Sequence, residues 1–399
     1  MSNEIYRVEF LILVQNSFER TKKKSDVEKM SMRSYAIRRF LYIIPTLLGI
    51  SIFSFALIAL SPGDPIQIRM GLFKGEQSEY EDLYNQIGVD LGLIEFRPDG
   101  TAKNVSVVVR YLRWLGFMKR PIEGEYTGEL IELEDGTAVQ VPVYRASGII
   151  QGDFGRSWHW TQDGKIGKPI TDIILSRMWY TLFLTTPAFV ISTVLATVIG
   201  VVQATRQYSI WDKGVTLASL IGYSMPTFWL AKLVMLGSFY MFNFTGATQG
   251  DALREPFLLN AKFYVFLILP TITLVLTGLV FLARLTRSQL LDILRQDYIV
   301  TARAKGLSER SVIYKHAFRN ALLPIVTVVG MALPGLLGGA VMTEGVFGWP
   351  GLGSVFLTSS LQRDHPMMMA TNFIFGGMFL IFRLFVDLSY ALVDPRIRY

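Results

Sequence analysis

The segment Thr301–Asn320 has the sequence TARAKGLSERSVIYKHAFRN and lies between two long apolar stretches of a 399-residue chain. Gly306 follows a run with helical periodicity, as a glycine that ends a helix does. Ser308 then fits the N-cap of a second helix, and Glu309 lies in its first turn, where the helix dipole favours a negative charge. The segment therefore predicts two short helices that are joined at a glycine.

The sequence around this segment is strongly apolar. Hydrophobic residues make up 51% of the chain and charged residues 18%. A helix that crosses a bilayer needs about 20 mainly apolar residues. We therefore predict an all-α membrane protein with six transmembrane helices, near residues 40–61, 178–204, 214–243, 262–284, 321–343 and 367–392.

The apolar segments divide the chain into four regions. These are an N-terminal extension (1–32), the first transmembrane helix (33–62), a long loop region (63–175) and a core of five helices (176–399) that contains the loop 285–320. The extension has an apolar stretch too short to cross a bilayer, followed by a charged run. It either lies on the membrane surface or precedes a translation start at Met30 or Met32, and we favour the second interpretation.

Basic residues are concentrated in alternate loops, and this predicts the orientation of the chain. They occupy the flank before the first helix, the loop after the second, the loop 285–320 and the C-terminal tail, whereas acidic residues cluster in the region 63–175. Because positively charged loops stay in the cytoplasm, we expect both termini and the loop 285–320 there. The net charge of +7 is then explained by topology rather than by binding to nucleic acid.

The region 63–175 is long enough to form a small folded unit outside the membrane. The stretch GELIELEDGTAVQVPVYRASG alternates apolar and polar residues around Asp135-Gly136, which predicts a β-hairpin. The stretch VVVRYLRWLGF, at 107–117, has apolar residues at helical spacing and predicts a helix that lies along the membrane surface. The region either covers the external mouth passively or docks another protein.

The sequence lacks the motifs that would make the chain an enzyme. It has no Cys, and its three His residues lie in different segments, so no metal site is expected. The nearest match to a phosphate-binding loop, DGKIGKPI around Lys168, lacks the first glycine and the Ser or Thr after the lysine. If the chain takes part in energised transport, ATP and Mg²⁺ must be bound by another subunit.

Three ionisable residues interrupt the apolar segments, where charges are costly and often functional. Arg383 and Asp387 are four residues apart, so they share one helix face and are expected to pair. Lys232 either extends to the membrane interface or lines a translocation pathway. An ion-gradient-driven secondary transporter is the alternative function, but it predicts buried acids and inverted repeats. We identify only Asp387 as a deep acid, and no repeat is evident.

The segment TARAKGLSERSVIYKHAFRNALLPIV resembles the cytoplasmic EAA-type motif of binding-protein-dependent ABC import permeases, in the version of the dipeptide/oligopeptide family. Val300, Thr301 and Ala302 occupy the places of the Glu-Ala-Ala of the founding motif, and only Ala302 matches it. Ala302 and Gly306 therefore carry the resemblance most firmly. Further segments follow in family order over residues 33–399: YAIRRFLYIIPTLLGISIFSFALIALSPGDP, GDFGRSW, GYSMPTFWLAKL, VMTEGVFGWPGLG and DLSYALVDPRIRY.

The resemblance implies the six-helix fold of a type I ABC importer permease in the plasma membrane. Such a permease pairs with a second permease, here a related chain, and works with two ATP-binding subunits and an external solute-binding protein. The resemblance leaves open whether the solute is a peptide, an oligosaccharide or a metal complex.

The resemblance also implies a role for the loop 285–320 in coupling to the ATPase. Ala302 and Ala304 would pack against a groove of the ATPase subunit, and Gly306 would set the turn. The basic side chains would donate to acidic groups of the groove. The predicted coupling residues are Thr301, Ala302, Arg303, Ala304, Lys305, Gly306, Ser308, Glu309 and Arg310.

Overall fold

The computed structural model describes most of the chain, and helices dominate it, as the sequence predicts. The described residues are 32–70, 77–97, 101–133, 138–162, 165–248, 261–333, 335–338 and 340–393. The N-terminal extension, the turn at Asp135-Gly136 and the end of the C-terminal tail lie outside the described residues.

The first half of the chain contains one long helix and a mixed region of short elements. In order they are α1 (Met32–Ala59), α2 (Pro65–Met70), α3 (Gln77–Asp90), β1 (Ile94–Phe96), β2 (Ala102–Asn104), α4 (Val107–Leu115), β3 (Arg120–Glu132), β4 (Ala138–Arg145), β5 (Thr161–Gln162) and β6 (Lys165–Ile166).

The second half is a helical bundle. Its helices are α5 (Ile170–Thr205), α6 (Ile210–Ser224), α7 (Thr227–Phe242), α8 (Ala261–Leu294), α9 (Asp297–Ala304), α10 (Glu309–Ser311), α11 (Arg319–Ala332), α12 (Gly335–Gly338), α13 (Val341–Phe347), α14 (Leu352–Gln362) and α15 (His365–Val393). A π-helical segment, Val312–Phe318, joins α10 to α11.

Four helices of the described chain are long and apolar enough to cross a membrane by themselves: α1, α5, α8 and α15. The predicted segment 214–243 is helical but interrupted, because α6 and α7 meet at an angle of 114°. Met225 is extended at this point, with φ −88° and ψ 126°. A residue before a proline avoids the helical region, and Pro226 has no N–H to continue the helix. The bent pair counts as a fifth span if its two halves cross together.

The predicted segment 321–343 is also helical but divided. Most of it lies in α11, which ends at Ala332, and the remainder falls in the four-residue α12 and the start of α13. The six apolar segments thus all form helices, but two of them are not the continuous helices that the sequence predicts.

The helices α5 and α8 pack closely because small residues line their contact. Ala196 of α5 and Ala283 of α8 are fully buried. A Cβ atom built on Gly200 would lie 2.5 Å from Cβ of Thr286 and 2.7 Å from the Ala283 carbonyl oxygen. Small residues let helix backbones approach each other in this way in membrane proteins. This pair forms the centre of the bundle.

The region 63–175 contains the two elements that the sequence predicts there. β3 and β4 form an antiparallel hairpin. The helix α4 begins after Ser106, whose hydroxyl accepts from the Val109 N–H, and it ends at Gly116, where φ is +96°. The sequence therefore specifies the local structure of this region correctly.

A buried carboxylate, Asp364, connects the region 63–175 to the bundle. It accepts hydrogen bonds from the Ser157 hydroxyl at 2.5 Å and from the Trp158 N–H at 3.1 Å. Its other oxygen accepts from the N–H of Met367, in the first turn of α15, at 3.2 Å. A carboxylate at this end of a helix also interacts favourably with the helix dipole. One side chain thus caps α15 and holds the loop region against it.

Gly200→Ala is expected to destabilise the bundle, and Gly214→Ala is its matched control. Both glycines lie in helices, where alanine is intrinsically better by about 1 kcal/mol. At Gly214 a Cβ atom meets nothing within 4 Å, whereas at Gly200 it meets α8. Overpacking at Gly200 costs about 1–3 kcal/mol, so we expect the thermal unfolding midpoint of the purified chain to fall for Gly200→Ala. Equal midpoints for the two variants would contradict the close contact of α5 and α8.

Candidate functional site

The predicted pair of short helices is present, and we call residues 297–318 the knob. α9 ends at Ala304, and Gly306 turns the chain with φ +79°, in the left-handed region that favours glycine. Ser308 is the N-cap of α10, and its hydroxyl accepts from the Ser311 N–H at 3.4 Å. The helix-ending glycine and the capping serine are therefore confirmed.

One face of the knob packs against the bundle. Ile299, Val312 and Ala317 are fully buried. They share one apolar cluster with residues near the ends of α5 and α8, among them Val201, Ala204, Leu282 and Leu290. Burying the side chains of Ile299 and Val312 contributes about 1.5–3 kcal/mol each. The knob is thus held rigidly where the two central helices of the bundle end.

The position of Ala302 corrects one prediction. The resemblance implies that Ala302 and Ala304 both face an ATPase groove, but Ala302 is only 7% exposed and lies in the apolar cluster of this chain. It follows Ile299 by three residues, so both occupy the same buried face of α9. Ala304 is exposed. Ala302 therefore seats the knob on its own bundle.

The opposite face of the knob is exposed and mixed in character. Arg303 of α9 and Glu309 of α10 form an ion pair across the turn, with Nε to Oε1 at 2.9 Å. The hydroxyl of Thr301 is used within α9, since it donates to the Asp297 carbonyl. Exposed apolar side chains accompany the charges, namely Val300, Leu307 and Tyr314. The other predicted coupling residues on this exposed face are Ala304, Lys305, Gly306, Ser308 and Arg310.

The second helix of the knob runs directly into α11 of the bundle. α10, the π-helical segment and α11 follow one another without a loop from Glu309 to Ala332. Ala321 and Ile325 of α11 are buried in the same apolar cluster as the knob. π-helical turns are rare and occur frequently at functional sites. The knob and α11 are therefore parts of one continuous helical segment.

An ion pair between α6 and α8, with a buried carboxylate, was missed from the sequence. Asp212 of α6 accepts two hydrogen bonds from Arg287 of α8, from Nε at 2.8 Å and from Nη2 at 2.9 Å. Asp212 also accepts from the Tyr208 N–H. The sequence identifies Arg287 only as a positive charge of a cytoplasmic loop. The signal that was available is Ser209 three residues before Asp212, the capping pattern that starts α6.

Asp387 is not alone as a deep acid, which corrects a second prediction. Asp212, Glu344 and Asp364 are buried, whereas Asp387 is partly exposed. Glu344 accepts from the Thr181 hydroxyl at 2.8 Å and from the Ser354 N–H at 2.9 Å. These acids were missed because each lies in or beside a helix break rather than inside a long apolar run.

The three ionisable residues of the apolar segments do not come together. Asp387 pairs with Arg39 of α1, with Nη1 to Oδ2 at 3.1 Å, instead of the predicted Arg383. The packing of α1 against α15 explains this correction, because it brings a cation from another helix to Asp387. Arg383 is exposed, and Lys232 lies on an exposed face of α7. α7 packs on α8 and α13, away from this pair.

The knob is suited to contact with another protein rather than to chemistry. Its exposed side chains are basic, aliphatic, aromatic or hydroxylic, with two acids, Asp297 and Glu309, of which Glu309 is paired with Arg303. Within the ranges that the structure describes, no three His, Asp or Glu side chains lie close enough to share a metal ion.

Comparison with a protein-family model identifies the proteins to which this chain is related. The model of the binding-protein-dependent transport system inner membrane component matches residues 196–399. That range holds the last part of α5, all of α8 and the knob itself. The chain belongs to this family. It is therefore a multi-pass membrane permease of ABC transporters, whose ATPase activity lies in partner subunits.

Individual relatives extend the similarity over nearly the whole permease. The oligopeptide transport system permease protein AppB of Bacillus subtilis is 36% identical over 92% of this chain and 100% of its own length. The dipeptide transport system permease protein DppB of Escherichia coli is 30% identical over 92% of this chain and 99% of its own. A solved MetNI methionine ABC transporter chain has a TM-score of 0.47, 19% identity and coverage of 57% of this permease and 99% of that chain.

Arg287→Gln is expected to destabilise the permease by about 3 kcal/mol, because it leaves the buried carboxylate of Asp212 without its cation. Arg284→Gln is the control, since Arg284 lies one turn earlier on α8 and is exposed. The double variant Asp212→Asn with Arg287→Gln should recover part of the loss, because no buried charge remains. Thermal unfolding in detergent measures all three. A loss for Arg284→Gln as large as for Arg287→Gln would contradict the importance of the pair.

Proposed function

We propose that this permease forms half of the translocation pathway of an ABC importer for peptides. The relatives named for oligopeptide and dipeptide transport support this substrate class, since they are similar over nearly their full lengths. The single observation that carries the mechanism is the knob. One of its faces is fixed to the bundle, and the other is exposed and bears apolar and charged side chains.

The exposed face of the knob is the docking surface for an ATP-binding subunit in this proposal. Leu307 and Tyr314 supply apolar contact area, and Lys305 and Arg310 offer donors to acidic groups. Two such subunits bind ATP and Mg²⁺, and this permease binds neither. Charged residues alone would satisfy the positive-inside rule, but exposed apolar residues beside them do not follow from that rule.

The remaining partners and the orientation complete the proposal. A second, related permease supplies the other half of the pathway, and an external solute-binding protein delivers the peptide. Both termini and the knob face the cytoplasm of a plasma membrane, in keeping with the distribution of Arg and Lys. ATP-driven closure of the ATPase subunits moves the knob, and the bundle changes between inward-facing and outward-facing states as packed helices do.

The turn of the knob couples peptide binding to ATP hydrolysis in this proposal, so Gly306→Val should reduce peptide-stimulated ATP hydrolysis severalfold or more. The substitution forces a β-branched residue into φ +79° and displaces the exposed face. Gly152→Val is a closely matched control, because Gly152 has φ +78° and, like Gly306, nothing within 4 Å of a built Cβ atom. The assay uses the full complex in proteoliposomes with its solute-binding protein.

The two outcomes of this assay are distinct. Reduced coupling in Gly306→Val with normal coupling in Gly152→Val supports a docking role for the knob. Equal coupling in the two variants and the unmodified permease would remove that role.

Peptide uptake should depend on ATP and not on an ion gradient. We expect proteoliposomes of the complex to accumulate labelled dipeptide when ATP is supplied, and an ionophore to leave the rate unchanged. Uptake that persists without ATP and collapses with the ionophore would instead support a secondary transporter.

A further inference from the structure

A cavity of about 430 Å³ lies far from the knob, between the last turns of α1, the region 63–175 and the first turn of α15. Phe55, Ile58 and Ala59 of α1 and Met369 of α15 form its apolar wall. Arginine side chains of α4 and β3 form much of the remaining wall. One side of the cavity wall is therefore apolar, and the other side carries charged side chains.

The polar wall holds more hydrogen-bond donors than acceptors. Arg113 uses Nη2 for an ion pair with Glu95, but its Nε and Nη1 atoms are buried without a partner. Arg120 pairs through Nη2 with Asp153, and its Nε atom is likewise buried and unpartnered. The indole N–H of Trp114, a residue only 6% exposed, is a fourth unpartnered donor. Buried donors without acceptors cost about 1–3 kcal/mol each, so an acceptor bound in the cavity would remove that cost.

The acidic side chains of the same wall are already occupied by other partners. They pair as Asp90 with Tyr126, Glu123 with Arg69, Glu125 with Arg145 and Asp153 with Arg120. Burial also raises the pKa of Asp90, which opposes its negative charge. These acids therefore do not supply the acceptors that the unpartnered donors need.

Arg110 adds a positive charge to the surplus of hydrogen-bond donors in the cavity wall. It lines the cavity one turn before Trp114 on α4. In the part of the chain that the structure describes, no Asp or Glu oxygen lies within 4.0 Å of its guanidinium. Burial lowers the pKa of Arg110, as expected for a cation held away from water without a counter-ion. The cavity is thus electrostatically suited to an oxyanion.

Apolar side chains exposed beside the cavity indicate where that oxyanion comes from. Leu60, just after α1, is 79% exposed, and Phe117, just after α4, is 69% exposed. Val107 and Val108 at the start of α4 are exposed as well. A short helix with apolar residues on its surface and arginines near them is typical of the boundary between headgroups and acyl chains. α1 and α15, which form the apolar wall, are themselves membrane-spanning helices.

We propose that this cavity binds the phosphate group of a phospholipid from the adjoining leaflet, with the acyl chains running along the apolar wall of α1. Arginine suits this task because its planar guanidinium donates two parallel hydrogen bonds to phosphate oxygens. The bound lipid would supply the acceptors for Arg110, Arg113 and Trp114 and would fix the region 63–175 to the membrane. The inference goes beyond the proposed transport function and does not depend on the transported solute.

Lipid retention by Arg110→Gln tests the proposal, because this substitution removes a charge of the cavity without breaking an ion pair of the protein. Arg145→Gln is the control, since Arg145 also lines the cavity but is exposed and pairs with Glu125. The purified complex is titrated in detergent with short-chain phosphatidylglycerol, and native mass spectrometry counts the bound lipid. We expect affinity to fall about tenfold for Arg110→Gln and to change less than twofold for Arg145→Gln.

Two further arms identify the source of the oxyanion. Sodium phosphate and the dipeptide Ala-Ala are titrated against the same complex, and each is expected to compete with the lipid weakly or not at all. Equal lipid affinity for both variants, or no bound lipid in the unmodified complex, overturns the proposal. Strong competition by phosphate or by the dipeptide overturns it too, because the cavity would then be a site for a free anion or for cargo.

Trp114→Phe provides a second variant that keeps an aromatic ring in the wall and the charge of the cavity. It removes the unpartnered indole N–H together with one ring of a buried side chain, so we expect the thermal unfolding midpoint without lipid to fall and lipid affinity to fall severalfold. Unchanged lipid affinity in this variant would show that the indole N–H does not bind the lipid, and the proposal would be wrong.

Discussion

The structure depends on the contact between α5 and α8, in which Gly200 lies against Thr286 with no room for another carbon atom. Helix association in a membrane gains little from the hydrophobic effect, because lipid is as apolar as the side chains. Close packing of small residues must replace it. The two helices end together, and their ends form the apolar seat on which the knob rests. The placement of the knob is therefore a consequence of packing inside the bundle.

A second constraint is that polar groups removed from water need partners. The bundle meets it with long-range pairs: Asp212 with Arg287, Arg39 with Asp387, and Glu344 with Thr181. Asp364, which holds the region 63–175 against the bundle, finds one of its hydrogen-bond partners by capping α15. Four of the seven buried side-chain atoms that lack a partner in the described residues belong to Arg113, Trp114 and Arg120, around one cavity. The same rule thus explains the stability of the bundle and points to the site that needs a ligand.

The sequence predicts those features that are local along the chain. Apolar runs of sufficient length specify the spans, and Gly306 with Ser308 specifies the break within the knob. Alternation around a turn signal specifies the hairpin of β3 and β4. These predictions succeed because helix caps, turns and periodicity are determined by neighbouring residues.

The sequence does not predict which partner a side chain meets from another helix. Helical spacing made Arg383 the natural partner of Asp387, but Arg39 from the other end of the chain occupies that position. Motif similarity placed Ala302 at a subunit contact, but burial places it inside its own chain. Pro226 interrupts the backbone hydrogen bonding between α6 and α7, but the angle of 114° between the two helices is a tertiary feature that the local sequence does not predict. Each of these differences follows from tertiary packing.

The π-helical segment Val312–Phe318 has a geometric consequence for the permease. A π-type hydrogen bond spans one residue more than an α-type bond. One residue corresponds to about 100° of rotation around a helix axis. The segment therefore offsets the angular phase of α11 from that of α10, so the face that α11 turns toward the bundle is not the one that an unbroken α-helix would present. The extra residue lets α10 and α11, which belong to one continuous helical segment, each turn a suitable face toward its own neighbours.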